Sequence, residues 1–175
     1  MRPLLSLFTC IMLVSASPST ASAQFGGLFG GPKVPVIETG ELVKMLAAQQ
    51  KTSAEARAAG EQPPGSDFVV VDVRSAAEVN VSIIPGAITK AAYESDRAKY
   101  RGKLVIPYCT VGGRSGAYAK KLAGDGVEVM NYKGSILKWI DAGLPLVTVD
   151  GKPTNRVHTY SDRYKVPPKY EQVTR

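Results

Sequence analysis

The chain is poor in the residues that bind metals and carry redox chemistry, with two cysteines and one histidine among 175 residues. One cysteine and one histidine cannot supply the four nitrogen, sulfur or oxygen ligands of an ordinary zinc site. No metal and no organic cofactor is therefore expected. Beyond the N-terminus there is no apolar run long enough to span a bilayer, no repeat with a period of 20 to 50 residues, and nothing resembling a nucleic-acid-binding module. A formal net charge of +7 suits nucleic acid, an acidic surface or small anions equally well. In the absence of such a module no nucleic-acid partner is expected. The content of hydrophobic residues, 44%, is enough for one packed core.

Met1 to Ala23 reads as a secretory signal peptide: Arg2 is the positive start, Pro3 to Ala16 the apolar centre, and Ala21-Ser-Ala23 an A-x-A cleavage site before Gln24. The competing reading, an N-terminal membrane anchor, is opposed by the shortness of the apolar stretch. The expectation is export to the periplasm or secretion, with no stable membrane insertion after cleavage. Cys10 leaves with the signal, so the mature chain keeps a single thiol, Cys109, and cannot form an internal disulfide. Such a thiol is reactive, pairs between molecules, or is an inert buried side chain. Gln24 to Pro35, residues 24–35, is a Gly/Pro-rich linker. Residues 36–149 alternate strand and helix signals, and residues 150–175 form a basic, proline-containing tail.

Most of the chemistry sits in Lys103 to Ala123. Leu104-Val105-Ile106 is a short continuous apolar run, the pattern of a strand buried on both faces of a parallel sheet. Pro107 is awkward there, since it cannot donate to a ladder, and is placed where pairing ends. Tyr118, Ala119, Leu122 and Ala123 recur at helical spacing and Gly124 offers a stop. Between strand and helix, Cys109-Thr110-Val111-Gly112-Gly113-Arg114-Ser115-Gly116 forms a glycine-rich loop whose backbone N–H groups converge on one spot at a helix N-terminus. A thiol placed there is held as thiolate: a free cysteine titrates near about 8.5, and such surroundings bring it to roughly 3.5–7.5. Arg114 would then be left to grip an anionic substrate with its planar fork.

This loop resembles the single-domain rhodanese signature Cys-x-x-Gly-x-Arg-Ser. Asp72-Val-Arg74, Ile84-Pro-Gly-Ala87, and the pair Gly134-Ser-Ile-x-x-Trp139 and Gly143-Leu-Pro145 resemble further rhodanese motifs in the same order. One departure stands out, because Ser82-Ile83 precedes Ile84 where the family often has Gly-His. The resemblance implies a three-layer α/β domain with a mainly parallel five-stranded central sheet. It also implies a sulfurtransferase in which Cys109 carries sulfane sulfur as a persulfide, from a small anionic donor such as thiosulfate to a thiol or cyanide acceptor. Cys109 is then the catalytic residue, Thr110, Val111, Gly112, Gly113, Arg114 and Ser115 bind substrate, and Asp72 and Arg74 support the site.

Two other functions compete. Phosphatases and arsenate reductases use a similar cradle with one residue more between Cys and Arg than the four found here, so spacing favours sulfur. A binding or sulfur-sensing module that keeps the fold without catalysis is weakened by the presence of Cys109 and Arg114.

Elsewhere, Val36-Ile37 reads as a first strand, Thr39 as the cap of a helix bearing Leu42, Val43 and Leu46, and residues 51–66 as an inserted loop or a helix extension ending at the prolines. Phe68 to Val71 is a buried strand, and Ser75-Ala-Ala-Glu78 a capping box. Asp72, at that strand's carboxyl end, braces a loop or pairs with Arg74 rather than taking part in catalysis. Tyr93 to Tyr100 is a weak helix, Gly126 to Asn131 the last strand, and Ser135 to Ala142 the last helix, with Trp139 in the core. His158, the only histidine, is a candidate base but more simply a structural residue. The tail either speeds the encounter with anionic donors or packs on the domain; its protein partner, if any, is not specified by the sequence.

Overall fold

The computed structural model describes residues 32–174. The signal peptide and all of the linker except residues 32–35 lie outside them.

Two runs of mainly apolar residues make the centre of the sheet. Strand β1 (Phe68–Asp72) and strand β3 (Leu104–Tyr108) run parallel in the register Val69↔Val105 and Val71↔Pro107, and the two-residue β2 (Ile88–Thr89) lies on the other side of β1. The order β2-β1-β3 is that of a parallel sheet with crossover connections. Side chains alternate across it. Val70, Ile106 and Tyr108 pack with Leu42 of helix α1 (Thr39–Ala58) and with Ile136, Trp139 and Ile140 of helix α5 (Ser135–Asp141). Val69, Val71 and Val105 face the other way, onto Tyr93 of helix α3 (Lys90–Ser95) and Tyr118, Ala119 and Leu122 of helix α4 (Gly113–Gly124). The result is the expected three-layer α/β arrangement, with both faces of the sheet covered.

The expected five strands are not all regular. Beyond β3 the segment around Val129 and then that around Val36 continue the parallel direction only as single bridges, Val105↔Val129 and Val36↔Asn131. Proline is the reason. The Val105 N–H donates to Glu128 O and the Met130 N–H to Val105 O, and the Tyr132 N–H reaches Pro107 O at 3.1 Å. The next rung would need an N–H on Pro107, which has none. Pro107 thus lies inside β3 rather than past its end, its missing donor turned away from β1 and toward the outer segment.

Local signals fared unevenly. The capping box of helix α2 (Ala76–Val79) forms, with Ser75 and Glu78 exchanging both hydrogen bonds. Thr39 does not cap α1; Glu38 holds that position without a side-chain bond, and the Thr39 hydroxyl lies 2.9 Å from that of Tyr132. Residues 51–58 extend α1. Tyr93 to Tyr100 divides into α3 and a 3-10 turn, Arg97–Tyr100. Trp139 is buried, its indole N–H donating to Pro145 O at 2.8 Å.

The basic C-terminal segment packs on the domain. Strand β4 (Leu146–Val147) pairs antiparallel with β5 (Pro153–Thr154), while β6 (Arg156–His158) pairs parallel with β7 (Glu171–Val173). Val157 is fully buried in the main core and Tyr170 nearly so, its hydroxyl donating to Leu144 O. A parallel pair needs a crossover of about a dozen residues. Here that crossover carries Tyr160, Arg163 and Tyr164.

Candidate active site

Cys109 follows directly on β3, at the carboxyl edge of the sheet where ligand crevices of open α/β folds lie. The helix after it starts earlier than the glycines suggest. Helix α4 begins at Gly113, so Arg114 and Ser115 belong to its first turn and the loop proper is Cys109 to Gly112. Gly112 makes this turn possible, with φ at +95°, and a β-carbon there would collide with the Lys133 carbonyl. Its N–H donates to Cys109 Sγ at 3.1 Å.

Burial opposes the thiolate, and Cys109 is only 1% exposed. The backbone N–H and hydroxyl of Ser115, then the N–H groups of Gly112 and Val111, outweigh that burial and hold the thiol below its ordinary pKa. The single proton of the Ser115 hydroxyl reaches either the Gly112 carbonyl, 3.2 Å away, or the sulfur. Ser135 adds a brace from the last helix. Its hydroxyl accepts from the Cys109 N–H at 3.0 Å, donates to Tyr132 O at 3.0 Å and lies 3.8 Å from Sγ. Ser135 sits at φ +56°, a conformation that costs a non-glycine residue about 1 kcal/mol or more.

Arg114 is engaged. Its two terminal nitrogens meet the two oxygens of Glu78 at 2.7 Å each, and one of them also donates to Thr110 Oγ1 at 2.8 Å. Thr110 Oγ1 donates in turn to Glu78 Oε1 at 2.9 Å, and the Ser75 N–H and hydroxyl both donate to Oε2. Burial raises the Glu78 carboxyl, but Arg114, Ser75 and Thr110 together hold it at about 2. Glu78 in turn keeps the Arg114 guanidinium firmly charged. The fork foreseen for substrate is thus closed on a carboxylate, while Val111 remains exposed at the loop's crest.

Asp72 and Arg74 form a separate buried brace. The Arg74 Nε donates to both Asp72 oxygens at 3.0 and 3.1 Å, and Nη2 to Oδ2 at 2.7 Å. Nη2 also donates to Ser82 O, and Nη1 to His158 O at 3.4 Å. Burial works against the Arg74 charge, yet Asp72 raises its pKa above the ordinary value. One ion pair therefore ties the end of β1 to the loop before Ile84 and to the C-terminal segment. This is the bracing role expected of Asp72, and no atom of the pair is hydrogen-bonded to Cys109. His158 is buried and structural in its contacts: its Nδ1 accepts the Tyr160 N–H at 3.0 Å.

Sequence reasoning had assigned no site role to Glu78, Ser135 or Tyr160. Glu78 was fully explained by its capping box, and Ser135 lay inside the Gly134-to-Trp139 motif without a task. Nothing in the local sequence signals Tyr160, whose ring lies 5.8 Å from the Arg114 guanidinium.

The rhodanese-like domain family model matches residues 52–142. A sulfurtransferase of Allochromatium vinosum is 33% identical over 91 residues, covering 49% of this chain and 83% of that protein. A tRNA sulfurtransferase of Desulfurococcus amylolyticus is 34% identical over 76 residues, 43% of this chain but only 15% of that much longer protein. Among solved structures, a thiosulfate sulfurtransferase of Pseudomonas aeruginosa aligns with a TM-score of 0.48 at 22% identity, over 70% of this chain and 21% of the other. The matched segment takes in β1, β3, the Cys109 loop and α5, and the chain belongs to the rhodanese-like domain family.

Proposed function

We propose that this protein is an exported sulfurtransferase that moves sulfane sulfur from a small anionic donor, of which thiosulfate is the simplest, through a Cys109 persulfide to a thiol or cyanide acceptor. The observation that carries the reading is the setting of Cys109 Sγ: a buried sulfur that accepts the Gly112 N–H, beside Ser115 at the start of α4, with its pKa lowered despite burial. Membership of the family and the sulfurtransferase relatives support the same class of chemistry.

In the first displacement the thiolate attacks the outer sulfur of the donor. The new Cys109 S–S bond forms as the donor S–S bond breaks, and sulfite leaves with the electron pair. In the second, the acceptor attacks the terminal sulfur, takes it as thiocyanate or a new persulfide, and returns the thiolate. Negative charge is present at every stage, so the amides of Val111, Gly112 and Ser115 and the dipole of α4 stabilise each one without a proton transfer. Arg114, oriented by Glu78 and Thr110, keeps its Nε–H and one Nη1 hydrogen for the donor's oxyanion. Ser135 holds the Cys109 backbone and Asp72–Arg74 the surrounding loops.

Two displacements through one covalent intermediate predict ping-pong kinetics, with parallel reciprocal plots when thiosulfate and cyanide are varied. Intersecting plots, or thiocyanate formation by Cys109→Ser at the wild-type rate, would contradict the reading.

A further inference from the structure

The C-terminal crossover brings a second cation to the side of Tyr160, whose ring also meets Arg114 of the Cys109 loop. Tyr160 is its pivot. This bulky residue sits at φ +52°, a strained conformation fixed by donation of its N–H to the buried His158 Nδ1 at 3.0 Å. His158 is itself tied by its carbonyl to Arg74 of the buried brace. So anchored, the Tyr160 ring stands 5.8 Å from the guanidinium of Arg114 and 5.9 Å from that of Arg163. The Tyr160 hydroxyl accepts from Arg163 Nη2 at 3.0 Å, and Tyr164 closes the group, with its ring 5.4 Å from Arg163 and 5.9 Å from the Tyr160 ring.

Two contrasts make Arg163 the informative member. Arg114 is neutralised by Glu78, whereas Arg163 makes no ion pair among the described residues. Arg163 is nonetheless held in place, by two neighbouring aromatic rings and by a hydroxyl, which most surface arginines are not. Tyr160 ties this group to the active-site loop, because its ring also meets Arg114, five residues after Cys109.

We propose that Arg163, beside Tyr160 and Tyr164, is a specificity-determining residue that binds the anionic, non-transferred end of the sulfur donor as it approaches Cys109 past Arg114. This rests on the sulfurtransferase reading for the identity of the ligand, but not for the existence of the cation beside Arg114 and Tyr160. An unneutralised, pre-oriented guanidinium favours a donor with a delocalised oxyanion, a sulfonate or sulfinate end, over an uncharged one. It would act on binding and on displacement alike, because the sulfonate end takes the S–S electron pair and gains negative charge as it leaves as sulfite.

The test uses two alkylating probes of equal reach and different charge on the full mature chain. The ratio of Cys109 alkylation rates with iodoacetate and iodoacetamide reads the cation directly and needs no sulfur-transfer activity. Arg163→Gln lowers that ratio by about threefold or more, whereas Lys51→Gln, the same charge change on exposed α1, leaves it unchanged. For thiosulfate, Arg163→Gln lowers kcat/KM by about tenfold, the loss of a cation that meets the donor's anionic end. An unchanged probe ratio, or an equal fall in Lys51→Gln, overturns the inference. A ratio that depends on Arg163 in a protein that never forms a persulfide supports the anion site while contradicting the sulfurtransferase reading, so the two failures are distinct.

Discussion

Glu78 holds Arg114 by both carboxylate oxygens, at 2.7 Å each, across 36 residues of sequence. The pair fixes the first turn of α4 against α2, and with it the amides that face Cys109. Five hydrogen bonds converge on a carboxylate only 2% exposed, which is why its pKa falls to about 2 from 4.5.

That lowered pKa makes a stability prediction with a definite sign. In the unfolded chain Glu78 titrates near 4.5 and in the folded protein near 2, so its ionised form contributes fully above 4.5, less as pH falls, and nothing below 2. Glu78→Gln is therefore expected to lose about 1–3 kcal/mol at pH 7, a range reduced because Arg114 is 44% exposed. Urea midpoints of the two proteins should converge as pH is lowered from 5 toward 3. A gap that stays constant would show that shape, not charge, accounts for the loss.

Ser115 makes a prediction about the thiol. Its N–H and hydroxyl are the foremost of the groups that hold Cys109 below its ordinary pKa. Ser115→Ala removes the hydroxyl and keeps the N–H, so the pH midpoint for iodoacetamide alkylation moves up. At a pH below both midpoints the alkylation rate falls about tenfold or more, the weight of one hydrogen bond to a charged group. An unmoved midpoint would assign the thiolate to the backbone amides alone.

The last helix offers a different test. Ser135 accepts the Cys109 N–H, so Ser135→Ala leaves that buried donor without its partner and costs about 1–3 kcal/mol. Ser135→Gly also loses the hydroxyl but relieves the positive φ, and should recover part of the loss in thermal denaturation. Equal losses in the two variants would mean that the backbone strain is without consequence.

How legible was all this beforehand? The Cys109 loop could be read directly, because glycine spacing, the apolar run before it and the helical period after it are local signals that agree. The three-layer core was legible for the same reason. The Glu78–Arg114 pair was not, since a capping box already accounted for Glu78 and nothing local announces a partner 36 residues away. Strand regularity beyond β3 hung on which edge of the chain Pro107 would turn outward, a tertiary matter. The C-terminal segment was obscured by its charge: Lys, Arg and Pro dominate its composition, while a few apolar residues, Val157 and Tyr170 with Val166 beside them, anchor it to the core.

Those anchors give that segment a part in stability. Deleting residues 151–175 should lower the melting temperature at low and high salt alike, and Val157→Ala alone should cost about 1–3 kcal/mol. A truncated protein that melts with the full chain would show that the packing of β6 and β7 adds nothing to stability.

The central claim is that Cys109 carries sulfur, and the mass of the mature protein tests it most directly. After incubation with thiosulfate and removal of excess donor, the account predicts a gain of one sulfur atom, located on the Cys109 peptide, lost on adding cyanide, and absent in Cys109→Ser. An unchanged mass, or a sulfur that remains after cyanide, would contradict it.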